Sequence, residues 1–432
     1  MQKKLLSLAI AGALAVPGAA MADVTSKSGG DITIYGKFHT SWDYVDSDNA
    51  TPGADDNDDN TAVFRNSRLG FKGAEDLGNG LKGIWQIETE LDTIDNEVQM
   101  RNTFVGLQGD NWGKIFFGKH DTPYKMATAK LDIFSDTIAD YNNIIGAHMT
   151  SVVSGGTYTT TNVAPAAVTD VTLDSGQYWV DSATANGVID SGELYNITIS
   201  TYPAGGASST SAAVSNFNER EPQVVAYMTP NFNGFQAAVA RESYQNAEGS
   251  GEDNLEGWSA MAMYDQGPFF GSVSYELYRG GPKASTSTDD VDAWKIGLGY
   301  SFGNSKISAI YEDINHEADN NAASRDAFWG SFAHKFGANE LKLAYGRADD
   351  SDANNDDGAD TWAIGIDHNF SKRTKVYAIY THMDNDAGAG YGFYTAQNNA
   401  DSGTGPGANG FYDSDTTGRD LDAFSVGIIH NF

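Results

Sequence analysis

The chain has 432 residues, with 27 Lys and Arg against 58 Asp and Glu for a formal net charge of −31, 48 Gly, 12% aromatics and no Cys. That charge has the wrong sign for a nucleic-acid binder. A mean hydropathy of −0.41 is too low for a bundle of apolar membrane helices, and the missing thiols exclude disulfide frameworks and thiolate metal sites. With 21 Phe, 21 Tyr and 8 Trp the chain is not disordered, and what is left is an acidic, Gly-rich, aromatic-rich β protein.

In chain order, residues 1–22 come first as a signal peptide. Lys3 and Lys4 precede an apolar run from Leu5 to Val16, and Ala20-Met21-Ala22 is a small-x-small cleavage site, so the mature chain of an exported protein is expected from 23 to 432. Strands follow near 31–44, 61–75, 80–92, 97–109, 112–120, 220–229, 233–243 and 254–265. Eight more lie near 268–280, 290–302, 305–317, 325–336, 339–348, 359–370, 373–384 and 419–432. Each is long enough to cross a bilayer when tilted, and their number is even. The alternation is plainest where Trp294, Ile296, Leu298, Tyr300 and Phe302 interleave with Lys295, Gly297, Gly299 and Ser301. It recurs where Phe424, Val426 and Ile428 interleave with Ser425, Gly427 and Ile429, ending at Phe432. One apolar face and one small or polar face is the pattern of a strand with lipid on one side. Tight turns such as Asp110-Asn111, Gly303-Asn304 and Ser371-Lys372 alternate with longer acidic loops, six Asp within 45–60 and five within 348–358. Short turns on one rim and long loops on the other predict an all-β fold, a transmembrane antiparallel β-barrel of sixteen strands.

Several stretches then resemble the Gram-negative general porins: Ser67 to Gly73 (SRLGFKG), Glu75 to Glu88 (EDLGNGLKGIWQIE), Arg101 to Leu107 (RNTFVGL), Gly113 to Pro123 (GKIFFGKHDTP) and Tyr227 to Phe235 (YMTPNFNGF), in the family's order, with the C-terminal Phe432. The resemblance covers essentially the whole mature chain. It implies a homotrimer of water-filled channels in the outer membrane, in contact with its lipid and lipopolysaccharide, passing ions and small hydrophilic solutes.

A lumen of this size is too wide for side chains to fill, so something has to narrow it. The long connection 121–219 contains Asp132-Ile133-Phe134-Ser135-Asp136-Thr137, which resembles the acidic tip of the family's third loop. That loop folds into the lumen as a constriction, so the resemblance implies Asp132, Asp136 and Asp140 on its acidic side. Alternation turns Arg68 and Lys72 away from Leu69 and Phe71, Lys37 away from Phe38, and Arg101 away from Phe104, hence inward, with Glu88 on the same wall. Arg220 stands where the family has a channel arginine. Acid facing base across the opening would give a transverse field, little screened over a Debye length of ~8 Å.

The acids of the exterior loops would concentrate cations at the mouth, so a mild cation preference is expected. Two features depart from the family. The loop 92–97 is too short for a latch onto a neighbouring protomer. The insert 151–216, with five acids and no Lys or Arg, is long enough to form a small β lobe over the mouth or to narrow the channel further. Within it, Asn186, Asp190 and Glu193 match three positions of a degenerate EF-hand loop, a candidate for weak calcium binding. No cofactor is implied otherwise. Gly299 to Gly303 has the nucleophile-elbow spacing but is followed by a strand, where the elbow needs a helix. The alternatives to a passive pore are a substrate-selective channel, favoured by the enlarged third loop, and a non-conducting structural or adhesin barrel. An enzyme would need a Ser/His/acid set, and none stands at matched positions.

Overall fold

The structure, a computed structural model, describes residues 22–25, 31–48, 57–91, 98–146, 159–163, 177–180, 197–201, 217–244, 255–279, 290–316, 324–352, 356–394, 411–412 and 418–432. Residues 1–21 of the expected signal peptide 1–22, the loop 92–97 and the calcium candidate Asn186, Asp190 and Glu193 lie outside the described residues.

Among the described residues sixteen long strands make one antiparallel sheet that closes on itself. We number them β1 (Asp31–Ser47), β2 (Asn57–Phe64 with Arg68–Gly78), β3 (Leu81–Leu91), β4 (Val98–Met100 with Thr103–Gly109) and β5 (Gly113–Asp121). β6 (Arg220–Met228), β7 (Phe235–Tyr244), β8 (Leu255–Gln266), β9 (Phe269–Arg279), β10 (Val291–Phe302) and β11 (Ser305–His316) continue the meander. β12 (Arg325–Phe336), β13 (Asn339–Ala348), β14 (Ala359–Asn369), β15 (Thr374–Asn385) and β16 (Leu421–Asn431) complete it. β1 pairs with β16 from Lys37–Asn431 to Ser47–Leu421, and Gly36 and Phe432 exchange both backbone hydrogen bonds at 3.0 Å. Closure is a physical requirement. In hydrocarbon an unpaired backbone group costs several kcal/mol, and a sheet without edges leaves none.

The expected alternation holds around the wall. Ile296 and Leu298 are 40% and 58% exposed on the outer face of β10, while Lys295, next to Ile296, is fully buried inside. Phe424, Val426 and Ile428 point outward from β16, and Ala423 and Ser425 point in. Two strands break phase. β2 is interrupted at Arg65-Asn66-Ser67, where Asn66 takes a positive φ of 45°. β4 is interrupted at Arg101-Asn102.

The chain divides into two compact units, one of residues 1–150 and 212–432 and one of 151–211. In the second, Thr159–Val163, Gln177–Val180 and Ile197–Thr201 form a three-stranded antiparallel sheet with the last strand central.

Inside the barrel, the segment after β5 starts with a short helix, α1 (Pro123–Thr128), capped by the Thr122 side chain, which accepts from the Lys125 N–H at 3.2 Å. α1 packs on β7 to β10. The segment then runs along the inner wall. Leu131 lies against Gly297, where a Cβ would come within 2.6 Å of it, and Phe134 lies against Gly365, where a Cβ would come within 2.7 Å. The small residues that alternation marked as the non-lipid face are therefore the floor on which this loop rests. Leu131, Phe134, Ile138, Ile144 and Ile145 join Trp329, Ile379 and Met383 of the wall in one apolar cluster. Ala389, Tyr391 and Phe393, from the loop between β15 and β16, enter the same cluster.

Candidate functional site

The constriction candidates meet where the tip of this third loop reaches β1 and β2. Asp136 sits there at a positive φ of 62°. Its carboxylate accepts from Lys37 Nζ at 2.5 Å and from Asn66 Nδ2 at 2.8 Å, and lies 3.5 Å from Arg68 Nη2. Burial alone would raise the Asp136 carboxyl, but Lys37, Arg68 and Arg101 outweigh it and hold the group well below the usual carboxylate range. The acid of the loop is thus clamped onto the basic wall.

From Asn66 the network continues along that wall. Arg101 Nη1 donates to Asn66 Oδ1 at 3.0 Å and to Glu90 at 2.6 Å, and its Nε donates to Glu88 at 2.9 Å. Tyr35 donates to Glu88 at 2.8 Å, and Lys72 lies over the Tyr35 ring, 5.2 Å from its centre. A second group stands beside it. Arg220 donates to Asn102 Oδ1 at 2.7 Å and pairs with Asp121 at 3.0 Å, and Lys125 lies 3.5 Å from the same carboxylate. Lys37, Arg68, Lys72, Arg101, Arg220 and Glu88 therefore lie along one connected stretch of the inner wall. Arginine is suited to it, because its fork stays charged and binds two carboxylates at once, as Arg101 does here.

Three expectations need correction. Asp132 and Asp140 do not line the opening. Asp132 accepts from the backbone of Phe134 and Tyr141, at 2.8 and 3.3 Å, and Asp140 accepts from the backbone of Asp136 and Asn142, at 2.7 and 2.9 Å. A tight irregular loop has backbone donors that no ladder satisfies, and a short carboxylate is the group that reaches them. Burial raises Asp132, helped by the charge of Asp140, and burial raises Asp140 to about 6. Second, Asp136 touches the base, so the field is not that of an acid facing a distant basic wall. Third, Arg101 is inward for a different reason from the one alternation gave. Phe104 is inward too, its ring 4.8 Å from that of the buried Phe116, because the break at Arg101-Asn102 resets the phase.

Sequence reasoning missed Asn66, Glu90, Asn102, Asp121 and Lys125. Asn66 and Asn102 sit at the two strand breaks, which strict period-two reading cannot represent. It also missed the node above them. Arg65 pairs with Asp43 and donates to Ser41 Oγ at 2.8 Å, and Ser425 donates to Asp43 at 2.6 Å, all of them buried.

A family model described as Gram-negative porin matches residues 7–388. The chain is 26% identical over 392 residues to outer membrane porin protein 32 of Delftia acidovorans, covering 89% of this chain and 90% of that protein. It is 24% identical over 394 residues to the major outer membrane protein P.IB of Neisseria meningitidis serogroup A, covering 87% and 91%. Among solved structures it is similar to an anion-selective porin from Comamonas acidovorans, with a TM-score of 0.63 at 20% identity over 93% of this chain and 100% of that one. It is also similar to OmpT of Vibrio cholerae, with a TM-score of 0.56 at 14% identity over 95% and 100%. The closed sixteen-stranded wall, the lipid-type outer face and these relatives agree on the compartment. The chain belongs to the Gram-negative porin family, outer-membrane channel proteins rather than enzymes.

Proposed function

We propose that the protein is a passive, water-filled channel for ions and small hydrophilic solutes, whose narrow section is the wall of Lys37, Arg68, Lys72, Arg101 and Arg220 with Asp136 of the third loop. The observation that carries this reading is the continuous hydrogen-bonded and ion-paired network of that inner wall, from Asp136 through Asn66 and Arg101 to Glu88 and Tyr35. A lumen lined in this way offers polar partners to a hydrated solute and none to an apolar one. No cofactor enters the reading.

Ion preference follows from the balance of fixed charge. Among the described residues of this wall, Lys37, Arg68, Lys72, Arg101, Lys125 and Arg220 outnumber Glu88, Glu90, Asp121 and Asp136. The excess of base favours anions near this wall, over a Debye length of ~8 Å. The cation preference that the acids of the long loops suggest is opposed by this basic wall. A mild anion preference is the net expectation. The reversal potential in planar bilayers under a KCl gradient tests it. A cation-preferring potential that is unchanged in Arg68→Gln and Arg101→Gln would remove both the preference and the assigned wall.

Assembly as a homotrimer in outer-membrane lipid and lipopolysaccharide belongs to the same reading, supported by the family resemblance, and predicts conductance that closes in steps of three. A narrower, substrate-selective channel is the second reading. It is favoured by the burial of Tyr391 and Phe393 against the third loop, and a permeation rate that saturates with one solute class would establish it.

A further inference from the structure

Three points of the chain that are separated in sequence meet at one place on the inner wall of β10 and β11. The first is Tyr124 in α1, at the start of the third loop. The second is Gly146, the last described residue before the chain passes toward the unit 151–211. The third is Phe217-Asn218, just before β6. Tyr124 Oη donates to one carboxylate oxygen of Glu312 at 2.7 Å, and the Gly146 N–H donates to the other at 2.7 Å. The Tyr124 ring lies beneath Lys295 Nζ, 3.9 Å from its centre, and 5.7 Å from the Phe217 ring. Lys295 Nζ donates in turn to Asn218 Oδ1. On the next strand, Arg325 donates to Ile144 O at 2.5 Å. Glu312, Lys295, Tyr124 and Phe217 are all fully buried.

We propose that Glu312 is a positioning residue of the channel. Its single carboxylate clasps the chain on both sides of the loop tip, at Tyr124 and at Gly146, and so fixes the position of Asp136 between them. The inference rests on the reading of the chain as a conducting pore. Its physical basis is the charge-assisted hydrogen bond, roughly twice as strong as a neutral one, used here twice by one side chain whose partners lie 22 residues apart (Tyr124 and Gly146). Buried donors left without that acceptor would draw water or shift toward other partners, and the loop between them would sample more than one position. Glu312 does not itself line the wall that carries Arg68 and Arg101, so its effect on permeation is through the loop alone.

Single-channel recording on the full chain tests this, with Glu312→Ala, Glu312→Gln, Tyr124→Phe and the double variant Glu312→Ala with Tyr124→Phe. The heat-modifiable mobility of each in SDS reports that the barrel is closed. Glu312→Ala is expected to raise open-channel current noise severalfold, add short-lived substates and enlarge the solute cut-off in liposome swelling, with ion selectivity little changed. Glu312→Gln, which keeps one acceptor, should fall between Ala and the native residue. Tyr124→Phe should move noise in the same direction, and the double variant should be no noisier than Glu312→Ala, because both remove the same contact. A quiet, unimodal Glu312→Ala channel, or effects that simply add in the double variant, would overturn the proposal. If Glu312→Ala fails to assemble, Tyr124→Phe decides, since it keeps the ring in place and a native noise spectrum there also overturns it. An unmodified chain that passes no current sinks the pore reading instead, which keeps the two failures apart.

Discussion

Asp136 holds the third loop against β1 and β2 because one carboxylate answers two cations and an amide. Lys37 and Asp136 are largely buried, with side chains 9% and 15% exposed, and removing one partner of such a pair leaves a desolvated charge, a loss of about 3–5 kcal/mol. The barrel ladder is untouched by that change, so the loss appears as local disorder of the loop. Asp136→Asn is expected to leave heat-modifiability intact, release Lys37 and Arg68 into the pathway, and shift the reversal potential further toward anions. A shift toward cations would show that Asp136 does not neutralise this wall. Asp43 is the contrasting case. It is fully buried with Arg65, within the barrel wall, so Asp43→Asn should cost about 3–5 kcal/mol of the barrel's own stability, read as a lowered urea midpoint for loss of the folded band.

The third loop is an element whose carboxylates titrate in opposite senses. Asp140 is raised to about 6 by burial, against an ordinary Asp value of about 3.9, and Asp132 is raised as well. A group raised on folding favours the folded loop while it holds its proton, and that contribution is lost as pH rises through about 6. Asp136 is lowered, so its contribution is present above the ordinary Asp value and is lost only as pH falls toward its own depressed value. Together they place the tightest loop near pH 4, with the Asp140 contribution fading as pH rises from there through about 6. Protection factors for the amides of residues 134–142, corrected for intrinsic exchange, should be highest near pH 4 and fall as pH rises through 6. Asp140→Asn should flatten the alkaline side. Protection that rises steadily from pH 5 to 8 would contradict this assignment. Of this element the sequence revealed only the acidic tip. Asp132, Asp136 and Asp140 look alike in a string of letters, and what separates them is which donors the fold brings within reach: backbone N–H groups for two, Lys37 and Arg68 for the third.

At the scale of the whole molecule, the seam between the first and last strands is where closure is decided. Gly36 has no side chain because a Cβ there would lie 2.2 Å from the Phe432 ring, and the Phe432 ring stands 5.4 Å from that of Phe38 on the outer face. Gly36→Val should force that ring away and weaken two backbone hydrogen bonds, each worth about 1 kcal/mol. Deleting Phe432 should do the same with no overpacking. Both variants are expected to assemble slowly into the heat-modifiable form, and native assembly kinetics for both would assign the seam no special role.

The fold was written in the sequence because a membrane barrel obeys a strict local rule. A strand that meets lipid on one side and water or a loop on the other must alternate at period two, so Trp362, Ile364 and Ile366 on β14 and Phe424, Val426 and Ile428 on β16 announced their orientation without any knowledge of their neighbours. The same rule identified most of the basic wall. Only the tertiary structure decided the rest. The breaks at Asn66 and Asn102 reset the phase, and a break leaves no periodic trace. The meeting of Tyr124, Gly146 and Glu312 depends on a loop folding back on strands nearly two hundred residues away, and no local pattern encodes that distance. The net charge of −31 is a sum over the whole chain, while the charge balance of the inner wall is set by which few side chains closure of the barrel turns inward together.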